Sequence, residues 1–303
     1  MVNDVPHRPV LVEEVLGFLH CREAGVYVDA TLGAGGHAEA LLQKDSRARV
    51  FGFDVDETAI EVASQRMKSF GDRFQAVHCN FTEMGTFLKD QDIDCVDGIL
   101  ADLGVSSMQL DNAGRGFSFM QEGPLDMRMD RNQARCAGEV VNHFSETALA
   151  DLIFQNGEER YSRRIARAIV AARPFSSTTQ LAQVVARCFP RSRRQRIHPA
   201  TRTFQALRIV VNGELENLSR FLDGIPLLLP PGGRAVIISF HSLEDRLVKQ
   251  SFRDWQRQAL ARILTPHVVT AGEAEKKLNP RSRSAKLRAA ERRGISSETA
   301  AEK

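Results

Sequence analysis

The residues with chemistry to offer in this 303-residue chain gather where apolar runs end. Val28-Asp29-Ala30-Thr31-Leu32-Gly33-Ala34-Gly35-Gly36-His37 sets a carboxylate and a glycine-rich turn directly before a helix-like stretch, His37–Gln43. Glycines let the backbone turn sharply and let a ligand approach where no Cβ stands. About twenty residues further on, Phe51-Gly52-Phe53-Asp54 ends a second apolar run in another acid, placed to take the two hydroxyls of a ribose. The glycines are not spaced as GxGxxG, and neither Gly-Lys-Ser nor Gly-Lys-Thr occurs. A plain dinucleotide turn is therefore a poor fit and a P-loop is excluded. What remains is an adenosyl cofactor held without a pyrophosphate, with S-adenosylmethionine as the leading candidate.

The elements that must position these groups follow a strand–helix rhythm. Candidate strands are Val26–Ala30, Arg49–Phe53, Phe74–Cys79 and Cys95–Ala101, with helical patterns at His37–Lys44 and Thr58–Phe70 between them. That is the logic of an α/β fold, a parallel sheet covered by helices on both faces. Gly33, Asp54, Phe81 and Asp102 all fall just past strand ends, on the edge where such sheets bind ligands. From about Asp111 to Pro199 the rhythm stops. Glu146–Asn156, Ser162–Arg173 and Thr178–Phe189 read as amphipathic helices, the last with Thr178 or Thr179 as N-cap. The sheet pattern resumes with a helix at Thr203–Leu222, a Pro230-Pro231-Gly232-Gly233 turn, a strand at Arg234–Phe240 and a helix at Ser242–Gln258. The expected organisation is a discontinuous α/β domain, residues 1–110 and 200–303, interrupted by a helical insertion, 111–199, that serves substrate recognition.

Hydrophobic content of 43% supports a sizeable core, and the net charge is only +3. Basic residues are nevertheless clustered: Arg191, Arg193, Arg194 and Arg196 in one stretch, and Lys276 to Arg293 in the tail. Such clusters suit a polyanion, or simply a solvated helix surface. The five cysteines are odd in number and form no CxxC pair, so no disulfide framework or metal site is expected and a reducing compartment fits. Cys79 and Cys95 sit in apolar runs and read as core. No apolar run is long enough to span a membrane and no signal pattern opens the chain, which points to a soluble cytoplasmic protein with a frayed polar C-terminus.

Longer blocks carry a family resemblance. They include His7-Arg8-Pro9-Val10-Leu11, the glycine turn, Asp102-Leu103-Gly104-Val105-Ser106-Ser107, Arg115-Gly116-Phe117-Ser118-Phe119, Leu125-Asp126-Met127-Arg128-Met129, His198-Pro199-Ala200-Thr201-Arg202, Ser239-Phe240-His241-Ser242-Leu243-Glu244-Asp245-Arg246 and Arg281-Ser282-Arg283-Ser284-Ala285-Lys286-Leu287-Arg288. In this order, over residues 7 to 293, they resemble the bacterial S-adenosylmethionine-dependent 16S ribosomal RNA cytosine-N4 methyltransferases, the RsmH or MraW family. The resemblance implies a Rossmann-like class I methyltransferase sheet with a helical substrate domain inserted after the fourth strand. It implies methyl transfer to the exocyclic amine of a cytidine in the decoding region of 16S rRNA within the 30S subunit. Carried over by position, the cofactor contacts are Gly35, Gly36, His37, Asp54, Phe81, Asp102 and Gln109.

Each residue has a plainer reading beside this one. The glycines make an ordinary tight turn if they do not wrap the methionine part of the cofactor. Asp54 takes the ribose or caps the next helix. Phe81 packs on adenine or in the core. His37 donates to the cofactor carboxylate or is structural. Asp102 is the candidate catalytic group, an acceptor for the cytosine amine or for the cofactor's amino group. Arg115 and Phe117 clamp a splayed base or pack against the core; His198, Arg202 and His241 hold the base or its phosphate, or do buried capping work. Arg193 and Arg194, with the tail from Arg281 to Arg288, are the expected RNA-backbone contacts. The apolar helix faces of the insertion permit a homodimer. A DNA amino-methyltransferase is disfavoured because Asp102-Leu103-Gly104-Val105 stands where Asn-Pro-Pro-Tyr is usual. A nicotinamide-dependent dehydrogenase lacks its glycine fingerprint here, and an RNA-binding factor without activity has no need of a complete pocket.

Overall fold

Val26–Asp29 (β1), Arg49–Asp54 (β2), Phe74–His78 (β3), Gly98–Asp102 (β4) and Arg234–Ser239 (β5) are parallel strands in a computed structural model of the chain, which describes residues 9–190 and 197–294. Ala261–Ile263 (β6) and Lys286–Arg292 (β7) complete a seven-stranded sheet of order β3-β2-β1-β4-β5-β7-β6, in which β7 runs antiparallel to both of its neighbours. The sheet is Rossmann-like. Its strand order reverses between β1 and β4, and the crevice beyond that switch point is where ligands bind in such sheets.

Side chains on a strand alternate between faces, and the core divides accordingly. Val28, Phe51, Phe53, Ile99, Ala101 and Ile237 lie in one apolar cluster; Tyr27, Val50, Leu100, Val236 and Ile238 lie in another. Helices α1 (Val12–Leu19), α2 (Gly36–Lys44) and α3 (Glu57–Arg66) cover the second face, and α4 (Met84–Asp90) contributes to the first. Burial on both faces explains why the central strands read as unbroken apolar runs.

The chain divides into two compact units, one running to Gly104 and resuming at Glu216, the other Val105–Leu215. The second holds α5 (Ser107–Asp111), α6 (Ala137–His143), α7 (Glu146–Gly157), α8 (Ser162–Ala172), α9 (Thr178–Arg187) and α10 (Thr201–Asn212). It has its own core, with Leu149, Ile153, Ile165, Leu181, Phe204 and Leu207 at its centre. The first unit resumes with α11 (Glu214–Leu228), α12 (Ser242–Arg257) and α13 (Glu273–Leu278). Leu218, Phe221 and Ile225 of α11 and Val248, Phe252 and Trp255 of α12 join the first face of the sheet.

Several expectations change. The helical unit is wider than 111–199, because Phe204, Leu207 and Val211 of α10 pack into the helical core. The helix expected over Thr203–Leu222 is two helices, since Gly213 adopts φ 60° and Arg208 pairs with Glu214 at 2.7 Å across the break. Ser177 caps α9 by accepting from Gln180 N, where Thr178 or Thr179 was expected. Cys95 is exposed and is not a core thiol, while Cys79 is partly buried and packs against the first core cluster. The basic tail is largely structural: Lys286–Arg292 is a strand inside the sheet, Arg288 pairs with Asp245 at 2.7 Å, and Arg234 of β5 pairs with Glu291 of β7 at 2.8 Å. No helix among the described residues is long and apolar enough to cross a membrane.

Gly157, at the end of α7, lies directly against α10: a Cβ there would stand 2.6 Å from the Arg202 carbonyl oxygen and 3.3 Å from the Ala206 Cβ. Gly157→Ala is expected to cost about 1–3 kcal/mol in a urea unfolding titration, because backbone must move to admit one methyl group.

Candidate cofactor site

The turn after β1 is tied to both flanking strands. Ala30 N donates to Leu100 O and Leu32 N to Phe53 O, each at 2.8 Å. Asp102 N donates to Thr31 Oγ1 at 2.6 Å, and Gly33 N donates to Asp54 Oδ2 at 2.8 Å. The turn is therefore suspended between the tips of β2 and β4. Gly35 holds φ 78° as the residue before α2, a conformation that side-chain-bearing residues rarely adopt, and Gly36 opens the helix beneath Pro9. Gly52, which the sequence reading did not single out, gives Leu32 its place: a Cβ on Gly52 would meet Leu32 Cδ1 at 2.5 Å.

Three carboxylates end the strands around this turn. Asp29 ends β1, Asp54 ends β2 and Asp102 ends β4. Asp29 is 1% exposed; its Oδ1 accepts from Thr31 N at 3.2 Å, while its Oδ2 is buried with no hydrogen-bond partner among the described residues. Burial, with the nearby charge of Asp54 adding to it, pushes Asp29 up to about 7. Asp54 accepts from Gly33 N and from Asp56 N at 2.9 Å, and burial raises it to about 6. It is not the cap of α3; Asp56 is, accepting from Thr58 N. Asp102 is held well above the carboxylate range, by burial first and then by the charges of Asp29 and Glu244. Its Oδ1 is buried with no partner among the described residues, and its Oδ2 lies 3.8 Å from His37 Nδ1.

His37 is buried at the start of α2, with Nε2 2.8 Å from Val10 O. That bond anchors the chain entering α1 and leaves Nδ1 as the nitrogen turned toward Asp102. Phe81 begins the short turn after β3 and sits 4.8 Å from the Phe221 ring, partly buried against the core. His241 is the N-cap of α12: its Nδ1 accepts from Glu244 N at 3.3 Å, and Glu244 Oε2 accepts from Phe240 N at 2.8 Å. The capping alternative describes it.

The other sequence-predicted residues lie in the helical unit. Gln109 closes a capping box with Ser106, its Oε1 accepting from Ser106 N at 3.0 Å. Arg115 is 5% exposed and donates to the carbonyls of Arg128 and Met129 at 3.0 Å; Phe117 is 7% exposed in the helical core. Neither presents a face on which a base could stack, and both hold the loop they belong to. His198 is exposed, 4.7 Å from the Phe119 ring, and Arg202 donates to Glu158 O at 3.0 Å, closing the C-terminus of α7. Arg193 and Arg194 lie outside the described residues.

S-adenosylmethionine fits what is present. Two buried carboxylate oxygens, without partners among the described residues, suit a ligand carrying positive charge. Asp54 keeps lone pairs for a ribose diol after accepting two backbone N–H groups. Among the described residues nothing lies within 4 Å of where a Gly33 Cβ would stand.

A family model described as the MraW methylase family matches residues 4–293. A protein of Crocosphaera subtropica named Ribosomal RNA small subunit methyltransferase H is 51% identical over 295 residues, covering 95% of this chain and 90% of its own. One of the same name from Geobacter sulfurreducens is 50% identical over 306 residues, covering 94% and 98%. A solved rRNA methylase from Streptococcus thermophilus aligns over 96% of this chain and 99% of its own at 12% identity, with a TM-score of 0.47.

The raised carboxylates have a consequence in the ligand-free protein. An acid whose folded value lies above its unfolded one binds more protons folded than unfolded, so stability falls as pH rises between the two. For Asp29 that window runs from 3.8 to about 7. Asp29→Asn is expected to melt several degrees above the parent at about pH 8, by a smaller margin at about pH 5 and close to it at about pH 4, while binding S-adenosylmethionine more weakly. Calorimetry and titration at these pH values check this; a lower melting temperature at pH 8 would mean that the fold favours the charged form.

Proposed function

Because this chain belongs to the MraW methylase family, we propose that it transfers the methyl group of S-adenosylmethionine to the exocyclic N4 of a cytidine in the decoding region of 16S rRNA, in the cytoplasm and with the 30S particle as substrate. At the coarser level, the chain is an S-adenosylmethionine-dependent methyltransferase of small-subunit rRNA. The observation that carries the finer reading is Asp102, a carboxylate fixed at the switch-point edge, raised in proton affinity and holding a buried oxygen with no partner among the described residues.

The cofactor supplies an electrophilic methyl group on a sulfonium. Asp54 takes the ribose hydroxyls, and the negative charge of Asp29 and Asp102 matches the cation. Cytosine N4 is a poor nucleophile because its lone pair is delocalised into the ring. Asp102 accepts a hydrogen bond from that amine, favours a more tetrahedral nitrogen and takes its proton as the N–C bond forms and the S–C bond breaks. Its raised proton affinity makes it a stronger base than an exposed carboxylate. The backbone bond from Asp102 N to Thr31 Oγ1 fixes its position relative to the glycine turn. The target base must leave its stack to reach the methyl group.

Labelled S-adenosylmethionine and unmodified 30S subunits, followed by nucleoside mass spectrometry, should yield N4-methylcytidine; a different methylated nucleoside would overturn the assignment. Asp102→Asn should weaken cofactor binding and, at saturating cofactor, still lower turnover by about 10²–10⁴. The parent's rate should fall as pH drops and Asp102 takes up its proton. Near-normal turnover of the variant at saturating cofactor would remove Asp102 from the mechanism.

A further inference from the structure

From Arg160 to Gly213 the chain contains twelve arginines, no lysine and no acid, although the whole chain carries 41 basic and 38 acidic residues. Some of these arginines are engaged within the helical unit. Arg173 donates to the carbonyls of Val141 and Phe144, Arg202 to that of Glu158, Arg208 pairs with Glu214, and Arg167 reaches Glu146 at 3.5 Å. Arg160, Arg163, Arg164 and Arg187 are exposed, and none of their side chains takes part in a hydrogen bond or ion pair among the described residues.

These four come together. Arg163 and Arg164 stand in the first turn of α8, Arg160 precedes it, and Arg187 is the last residue of α9. Cys188 Sγ lies 3.9 Å from Arg164 O, and the Tyr161 ring sits 5.2 Å from that of Phe189, so the start of α8 lies against the end of α9. Tyr161 remains 44% exposed beside the arginines.

The arrangement is costly in isolation. Cations in the first turn of a helix face the positive end of its dipole, and the first turn of α8 holds no acid to offset them. Like charges crowded without partners add repulsion. Solubility alone does not call for arginine to the exclusion of lysine. Arginine is the residue whose planar fork grips a phosphate with two hydrogen bonds and stacks on bases, and an exposed tyrosine gives a base a second face.

We propose that the α8–α9 surface, Arg160, Arg163, Arg164 and Arg187 with Tyr161, binds the phosphate backbone of a single-stranded rRNA segment and stacks one of its bases. The proposal rests on the functional reading above for the identity of the RNA. It names residues other than Arg193 and Arg194.

The test uses the full chain with Arg160→Gln, Arg163→Gln, Arg164→Gln and Arg187→Gln combined. Binding to an unmodified 16S rRNA fragment is measured over a range of salt concentrations. Affinity should fall by about 10–100-fold, and the slope of log affinity against log salt should drop by about 2–3, since each single-strand phosphate contact contributes roughly 0.7. KM for the 30S particle should rise while kcat and cofactor affinity stay within about twofold, the pattern of lost uniform binding. The corresponding four-lysine variant should keep the slope. Tyr161→Ala should weaken binding without changing the slope, and Tyr161→Phe should restore it. Unchanged affinity and slope in the glutamine variant would overturn the proposal. So would unchanged RNA binding with a raised KM on the particle alone, which would assign the surface to a ribosomal protein. A parent chain that bound RNA in this way but methylated none would overturn the functional reading and leave the surface standing.

Discussion

Negative charge held out of water at the carboxyl edge of the sheet is the constraint around which the rest of the cofactor site is arranged. Asp29, Asp54 and Asp102 end three adjacent strands, and Glu244 adds its charge to the field at Asp102. Hydrogen bonds from the backbone hold Asp54, but burial outweighs them and its pKa is still raised. In the empty protein such a group is a destabilising element. It becomes favourable when something cationic arrives, so the free energy withheld from folding is released on binding. The glycine turn, the Thr31 hydroxyl and the helix start at Gly36 all serve to keep this edge in place before a ligand is bound.

That placement depends on the sheet. A parallel strand buried on both faces is stiff, and the register of β1 is set by both of its neighbours at once: Asp29 lies opposite Gly52 on β2 and Leu100 on β4. Asp54 and Asp102 therefore project beyond Asp29 on either side of the turn. Gly52 deepens the effect by letting Leu32 lie over β2. The site is thus built from strand ends and one short turn, the most rigid parts of the unit, which is what pre-organised electrostatics requires.

Much of this was legible in the residues. Apolar runs closing in Asp29, Asp54 and Asp102 announce strand tips, because only a strand end can place an acid after such a run without burying it mid-sheet. The separate helical unit was legible as a loss of alternation. Other features were hidden for physical reasons. Lys286-Leu287-Arg288-Ala289-Ala290-Glu291-Arg292 is rich in helix formers, yet pairing with β5 and β6 makes it a strand, a tertiary override of local preference. Asn212-Gly213 carried a break signal that the apolar periodicity on either side obscured. The isolation of the Asp29 side chain depends on what surrounds it in three dimensions, and no local pattern records that. Arg115 and Phe117 looked like a base clamp because an arginine beside aromatics does not declare which side of the surface it occupies.

The position of β7 bears on how the molecule is made. It is the last of the seven strands along the chain, yet it lies between β5 and β6. As the chain emerges during synthesis, β5 has its outer edge open, and β6, three residues long and paired only with β7, has nothing to join. The sheet cannot be zipped up in the order in which it is translated. Until residues 286–292 arrive, β5 offers unpaired backbone groups to any other strand in reach, so the interval between translating β5 and translating β7 is when the nascent protein is most exposed to mispairing.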